Sequence, residues 1–316
     1  MSRYSIEGYL IALRNRSTHT VCVEGKDDRL VIKHCLLRLI GERDHLNERY
    51  VVDSMDIIKS DGDTPGNSDK LRKICALLNG SLTTSKVTAL VDRAYNWFDI
   101  GKSEIDLSPY HQSYSEHLHY TRGHSIENYF FESEYFIQYI EFNYASSLTA
   151  NHQRLIKLNW ESLLASVASL TFAIHENNCC KKAKGLFSLN HWQDTGEGRL
   201  EIEATAVKNS LSTRGISHIQ STDIIERASS LKTIFENRII ASRWIIHGHV
   251  GMDLLCGAIG RIMAICGVNP TTCETLNGFS ETKLKYFTSR WFDRAKSSDD
   301  LFPQKFFNKI LLAIEN

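Results

Sequence analysis

Apolar positions in the first part of the chain fall into short dense runs divided by stretches of helical spacing. Residues 19–23 and 86–91 are almost unbroken apolar runs, the pattern of strands covered on both faces, and residues 50–59 read as a further strand. Helical periodicity fits residues 5–16, 27–40 and 68–78, and in the second of these Leu30, Val31, His34 and Leu37 share one face. Between them, Asp61-Gly62-Asp63-Thr64-Pro65-Gly66-Asn67 has the composition of a loop. A shorter strand at 117–121 and an aromatic-rich helical segment at 126–142 follow. Strands that alternate with helices predict an α/β fold, a parallel-rich sheet with flanking helices.

Past residue 143 the pattern changes to long helix-compatible stretches at 155–174, 221–238 and 251–266. The expected organisation is an α/β domain over residues 1–142 and a mostly helical domain over 143–316. Four prolines in the whole chain and no Ser/Gly tract leave no evident flexible linker, so the two are expected to pack together.

Composition narrows the function classes only a little. With 316 residues, 42% of them hydrophobic and 23% charged, the chain can bury a substantial core, which argues against disorder. Lys plus Arg and Asp plus Glu balance at 37 each, so no global basic field draws in a nucleic acid. Local basic-aromatic pieces remain: Arg14-Asn15-Arg16, Lys181-Lys182-Ala183-Lys184, and Lys283 to Lys285 with Tyr286 and Phe287. Each is either an RNA-backbone contact or, the preferred reading, a solvated helix face. The eight cysteines have no paired metal-type spacing and read as reduced thiols. No stretch near the N-terminus reads as a targeting segment and none approaches the roughly 20 apolar residues of a membrane span, so the expectation is a cytoplasmic protein without a membrane partner.

The densest chemical signal is Val21-Cys22-Val23-Glu24-Gly25-Lys26-Asp27-Asp28, an apolar strand that delivers a carboxylate onto a glycine turn. The strand at 86–91 ends the same way in Asp92. If the two lie side by side and parallel, Glu24 and Asp92 converge at the carboxyl edge of one sheet, where open α/β sheets place their chemistry. Converging carboxylates repel unless a cation sits between them, which points to a divalent-metal site; the alternative is that each acid caps the helix after it. Asp28 follows Glu24 by about one helical turn, so it either faces the same cleft or sits on the dipole of its own helix, while Asp27 reads as that helix's cap. Lys26, on the turn, is a phosphate contact or a solvated lysine. His247 and His249 flank Gly248 and suit phosphate contact or proton donation to a leaving oxygen, with His249 preferred. His111, His117 and His119 contain an H-x-H pair, a weak zinc signal.

Val-Glu-Gly-Lys-Asp-Asp after one strand, Leu-Val-Asp-Arg after another, and His124-Ser125-Ile126-Glu127-Asn128-Tyr129 farther on resemble the Toprim fold of topoisomerases, bacterial primases and overcoming-lysogenization-defect (OLD) nucleases. Within that fold the ordered set is most similar to the AriB family, the Toprim nuclease subunits of the PARIS anti-phage system. The resemblance covers roughly residues 18–130, and Gly248 to Leu255 is also typical of such proteins. It implies a Toprim-like catalytic domain whose Mg²⁺ or Mn²⁺ is held by Glu24, Asp28, Asp92 and Glu127, with catalytic roles for Glu24, Lys26 and His249, the segment near 247–255 contributing to the site. It further implies a toxic endoribonuclease with transfer RNA as substrate, sequestered by an ABC-type ATPase sensor until a phage protein is detected. The chain has no G-x-x-x-x-G-K-[ST] motif, so the nucleotide-binding machinery would belong to that partner. Where the family carries Asp-x-Asp, this chain reads Asp92-Arg93-Ala94, which leaves open a catalytically lapsed module that binds nucleic acid or the ATPase. The apolar clusters at 291–292, 301–302, 306–307 and 310–312 either pack on the sheet or, in a released form, make a homodimer.

Overall fold

In a computed structural model of the chain, the residues described are 4–60, 65–96, 98, 113–115, 117–144, 150–278, 280–296 and 302–316. They contain α1 (Ile6–Asn15), β1 (His19–Val23), α2 (Lys26–Ile40), β2 (Tyr50–Ser54), α3 (Asn67–Leu78), β3 (Val87–Val91), β4 (Ser113–Ser115) and β5 (Leu118–Tyr120). Then come α4 (Ser133–Tyr144), α5 (Ala150–Glu176), α6 (Cys180–Ala183), β6 (Trp192–Asp194), β7 (Leu200–Ile202), α7 (Ala204–Thr213) and α8 (His218–Glu236). The chain closes with α9 (Ile239–Ile245), α10 (Gly248–Ile265), α11 (Pro270–Glu274), α12 (Glu281–Ala295) and α13 (Gln304–Glu315).

These elements divide into two compact units. One gathers the described residues of Met1–Asn96, Asp106–Arg122 and Leu284–Asn316; the other is built mainly from Gly123–Lys283. The division differs from the one expected at residue 142 because the chain returns: α13 packs against β1 and β3, which assigns the C-terminal residues to the first unit.

The first unit is a five-stranded sheet in the order β2-β1-β3-β5-β4, parallel throughout except for the short antiparallel β4 at its edge. Alternation along the strands sorts its two faces. Cys22, Val87, Ala89, Val91, Leu118 and Tyr120 join a core with Tyr9, Leu10 and Leu13 of α1 and Leu71, Ile74, Cys75 and Leu78 of α3. The other face carries His19, Val21, Val23, Thr88, Leu90 and His119, and there His119 meets the ring edge of Phe306 from α13. Burial on both sides is why β1 and β3 read as mostly apolar runs with no charged residue. The strand expected at 50–59 stops at Ser54, where a 3-10 turn at Met55–Ile57 carries the chain away from the sheet.

Most of the apolar residues near the C-terminus pack inside this unit. Trp291, Phe292, Phe302, Phe306, Phe307 and Ile310 are all buried, with Phe302 stacked on Phe307 at 4.8 Å and 15°. Leu312, by contrast, is 62% exposed, and Leu301 lies outside the described residues.

The second unit is helical apart from the β6–β7 hairpin. Its aromatic residues Tyr129, Phe130, Phe131, Tyr135 and Phe136 are core, as expected. The segment expected as one helix over 126–142 is a 3-10 turn at Ile126–Phe130 followed by α4. α10 has a mean hydropathy of 1.2 over 18 residues, long and apolar enough to cross a membrane by length and composition, which the sequence reading did not anticipate. Here 78% of it is buried within the protein, the situation of a core helix.

His19 carries a consequence for stability. Burial, with the charge of Lys309 second, pushes its pKa down to about 4, and its Nε2 lies 3.0 Å from the Thr88 hydroxyl. The unfolded imidazole titrates near 6.5, so between about pH 6.5 and 4 the unfolded chain takes up a proton that the fold excludes, and stability falls with pH. Chemical denaturation at pH 7.5 and 4.5 is expected to show a loss that shrinks by up to about 3 kcal/mol in His19→Gln.

Candidate functional site

The carboxyl ends of β1 and β3 bring Glu24 and Asp92 together. Their register pairs Val23 with Leu90, which sets the residue after each strand at the same sheet edge. Glu24 Oε1 accepts the Asp92 backbone N–H at 2.8 Å, and a side-chain hydrogen bond from Ser68 in the first turn of α3 reaches the same carboxylate. Burial raises the Glu24 pKa above the ordinary carboxylate value; the Asp92 amide, Ser68 and the charge of Arg72 oppose that rise, and Asp69 adds to it. The Glu24 carbonyl is also tied down, accepting from the Met55 amide at 3.2 Å and from Asn67 Nδ2 at 2.9 Å. The turn of α3 that supplies Asn67, Ser68, Asp69 and Arg72 was not singled out in the sequence. Its signal was there as a polar run opening an apolar-periodic helix directly after the Asp/Gly/Pro loop, the residues of which at 61–64 lie outside those described.

The other acids of the octet are placed differently. Helix α2 starts at Lys26, after an N-cap glycine, so its capping acid is Asp28 rather than the expected Asp27: Asp28 Oδ2 accepts the Gly25 amide at 2.8 Å. Lys26 is exposed on the first helical position. After Asp92, Arg93 turns inward, only 1% exposed, with Nε donating to the Asn96 carbonyl and Nη1 to the Arg122 carbonyl. Ala94 then adopts φ 52°, the left-handed region that Asp and Asn tolerate better than Ala.

Glu127 and His249 lie in the second unit. Glu127 is 2% exposed and its Oε1 lies 3.2 Å from His249 Nδ1. Gly248 makes this approach possible, because a Cβ there would stand 2.1 Å from Ser125 Oγ and 2.3 Å from Glu127 Oε2. Asn128 fixes the turn from the other side: its Oδ1 accepts the Ser125 amide, and its Nδ2 donates to the Arg243 and Ile246 carbonyls at 2.7 and 2.9 Å. Behind the pair, the rings of His124 and His247 are 4.6 Å apart. Burial holds both below the usual imidazole range, with His247 at about 4, and mutual repulsion among His124, His175, His247 and His249 adds to the depression of His124. Asp253 of α10 accepts the amide of Gly185, 68 residues earlier in the chain, at 2.8 Å.

Several sequence candidates are occupied elsewhere. His117 Nε2 contacts the Cys75 carbonyl at 3.1 Å and His119 packs on Phe306, while His111 lies outside the described residues. Among the described residues no group of three or more His, Cys, Asp or Glu is gathered tightly enough to hold a metal ion. Lys283 is buried under the Leu276, Asn277 and Gly278 carbonyls and Phe287 is core, whereas Lys285 is exposed and Tyr286 half-buried. Arg16 is paired with Asp53, whereas Lys181 and Lys182 are exposed. The eight cysteines are all free thiols.

No protein-family model matches the chain, and no curated protein matches it either.

Gly248→Ala is expected to cost about 2–4 kcal/mol in the second unit, because the added carbon collides with a buried carboxylate rather than with a movable chain end. Differential scanning calorimetry with hydrogen exchange at residues 124–131 checks both the size and the place of the effect.

Proposed function

We propose that the chain is a metal-dependent Toprim-type ribonuclease, the toxic effector of an anti-phage system, cleaving transfer RNA after release from a partner ATPase. The observation that carries this reading is the convergence of Glu24 and Asp92 at the carboxyl edge of a parallel sheet, the arrangement that the octet and the second acidic strand end call for. Both offer hard oxygen ligands, and Mg²⁺ is commonly held by only one or two carboxylates while waters and substrate phosphate fill the remaining positions. That coordination habit asks for no third protein carboxylate. Bound there, Mg²⁺ or Mn²⁺ would neutralise phosphate charge and lower the pKa of a water.

In the first unit the chain's own groups do the positioning. The Asp92 amide and Ser68 orient the Glu24 carboxylate. Lys26 stands exposed at the start of α2, ready for a phosphate oxygen of a long substrate. Taken by itself, the second unit holds an acid–imidazole pair, the 2%-exposed Glu127 bound to His249 at Nδ1, which leaves proton exchange to Nε2 of that imidazole. Glu127 is read here as the partner of His249 and Asp28 as a helix cap, so the metal ligands of the proposal are Glu24 and Asp92.

A second reading, a lapsed module that binds nucleic acid or the ATPase, is favoured by Ala94 in place of the family's second aspartate. Isothermal titration with Mg²⁺ and a cleavage assay on total transfer RNA separate the two. Glu24→Gln and Asp92→Asn are each expected to lower cleavage at least about 100-fold, with a melting temperature within a few degrees of the parent, and EDTA is expected to abolish it. Cleavage undiminished in EDTA overturns the metal mechanism; Mg²⁺-independent RNA binding without cleavage selects the lapsed module.

Sequestration has its own check. Expressed with its genomic neighbours, the chain is expected to co-purify with an ATPase that carries the P-loop motif it lacks, and to be tolerated by the host only in that company. Strong toxicity of Glu24→Gln would show that harm does not come from catalysis.

A further inference from the structure

Arg72 stands on α3, one helical turn beyond the Ser68 that bonds Glu24. Its side chain is 35% exposed, and its charged and aromatic neighbours are the Asp69 carboxylate at 3.9 Å and the Tyr120 ring, 5.9 Å from the guanidinium to the centroid. Among the described residues it makes no hydrogen bond closer than that ion-pair distance. A guanidinium carries five N–H donors in a rigid fork, and placing one half out of water without an acceptor leaves that capacity for something else.

Its position says for what. Tyr120 is the register partner of Val91, the residue before Asp92, so a guanidinium over that ring stands at the carboxyl edge where β3 and β5 end. Its charge is also felt by the Glu24 carboxylate. An edge bearing Glu24, Asp69 and Asp92 repels any polyanion, and Arg72, like the exposed Lys26 at the start of α2, brings a cation to it.

We propose that Arg72 is the phosphate-positioning residue of this edge, its fork donating to two non-bridging oxygens of a substrate phosphodiester. The proposal rests on the nuclease reading for its substrate class but not for its binding chemistry, since any phosphate oxyanion presents the same pair of acceptors.

The test has one arm without turnover. Inorganic phosphate is titrated into the ¹⁵N-labelled full chain at constant ionic strength, following the Arg72 Nε–Hε resonance, identified by its absence in Arg72→Gln. A saturable shift absent with chloride is expected; no shift, or the same shift with chloride, overturns the assignment whether or not the chain cleaves RNA. In the second arm, Arg72→Lys keeps the charge and loses the fork, so KM for transfer RNA is expected to rise about 10-fold with kcat little changed, and about 100-fold in Arg72→Gln. Unchanged KM in Arg72→Gln overturns the proposal. A phosphate shift in a wild-type chain that cleaves nothing keeps Arg72 as the phosphate group and sinks the nuclease reading alone.

Discussion

A carboxylate withdrawn from water at the end of a buried strand needs donors or a cation, and the first unit is organised around how Glu24 meets that need. Its Oε1 takes the Asp92 amide at 2.8 Å, a bond that exists only because β1 and β3 are adjacent and parallel. An antiparallel neighbour would present the amino end of a strand there, without the acid. The same pairing puts Val21 and Val23 on one face and Cys22 on the other, which in turn requires helices on both sides. Sheet order, double burial and the convergence of two acids are thus one constraint expressed three times.

Glycine and asparagine do the corresponding work in the second unit. The bond between Glu127 and His249 depends on the missing side chain of Gly248, and the turn that carries Glu127 is held by Asn128, which uses both amide atoms on backbone groups. A buried amide whose donors and acceptor are all taken specifies one arrangement, because any shift leaves polar groups unpaired. That explains why a 3-10 turn interrupts what the apolar pattern reads as a continuous helix over 126–142. Periodicity registers which residues are buried, and it is blind to a turn that buries all of them.

What the sequence made legible follows the reach of its signals. Strands β1 and β3 were readable to within a residue because double burial leaves a mostly apolar, uncharged run, and Glu24 and Asp92 came with them as the first charged residues beyond each. Asp28 stayed ambiguous because a helix cap and a metal ligand ask for the same residue at the same offset; only the 2.8 Å bond to the Gly25 amide separates them. The first turn of α3 was missed for a different reason. Ser68 and Arg72 are unremarkable on a helix, and their proximity to Glu24 is a product of tertiary packing, as is the return of α13 to the sheet.

The absence of a basic field also takes on a different sense once the groups are placed. With 37 cationic and 37 anionic side chains, the chain cannot draw in a polyanion from a distance, so affinity for a phosphate has to come from close contact. At short range a bidentate guanidinium is the most effective single group, since its hydrogen bonds are charge-assisted and directional. Several arginines are already committed: Arg16 to Asp53, Arg93 to backbone carbonyls, Arg243 to Glu132 and to the turn around Asn128. Arg72 is bound only loosely, by one carboxylate at 3.9 Å, beside the two acids that a cation would bridge. In the proposed function, a neutral chain with a charge-dense edge would recognise phosphate by close contact rather than by a long-range field.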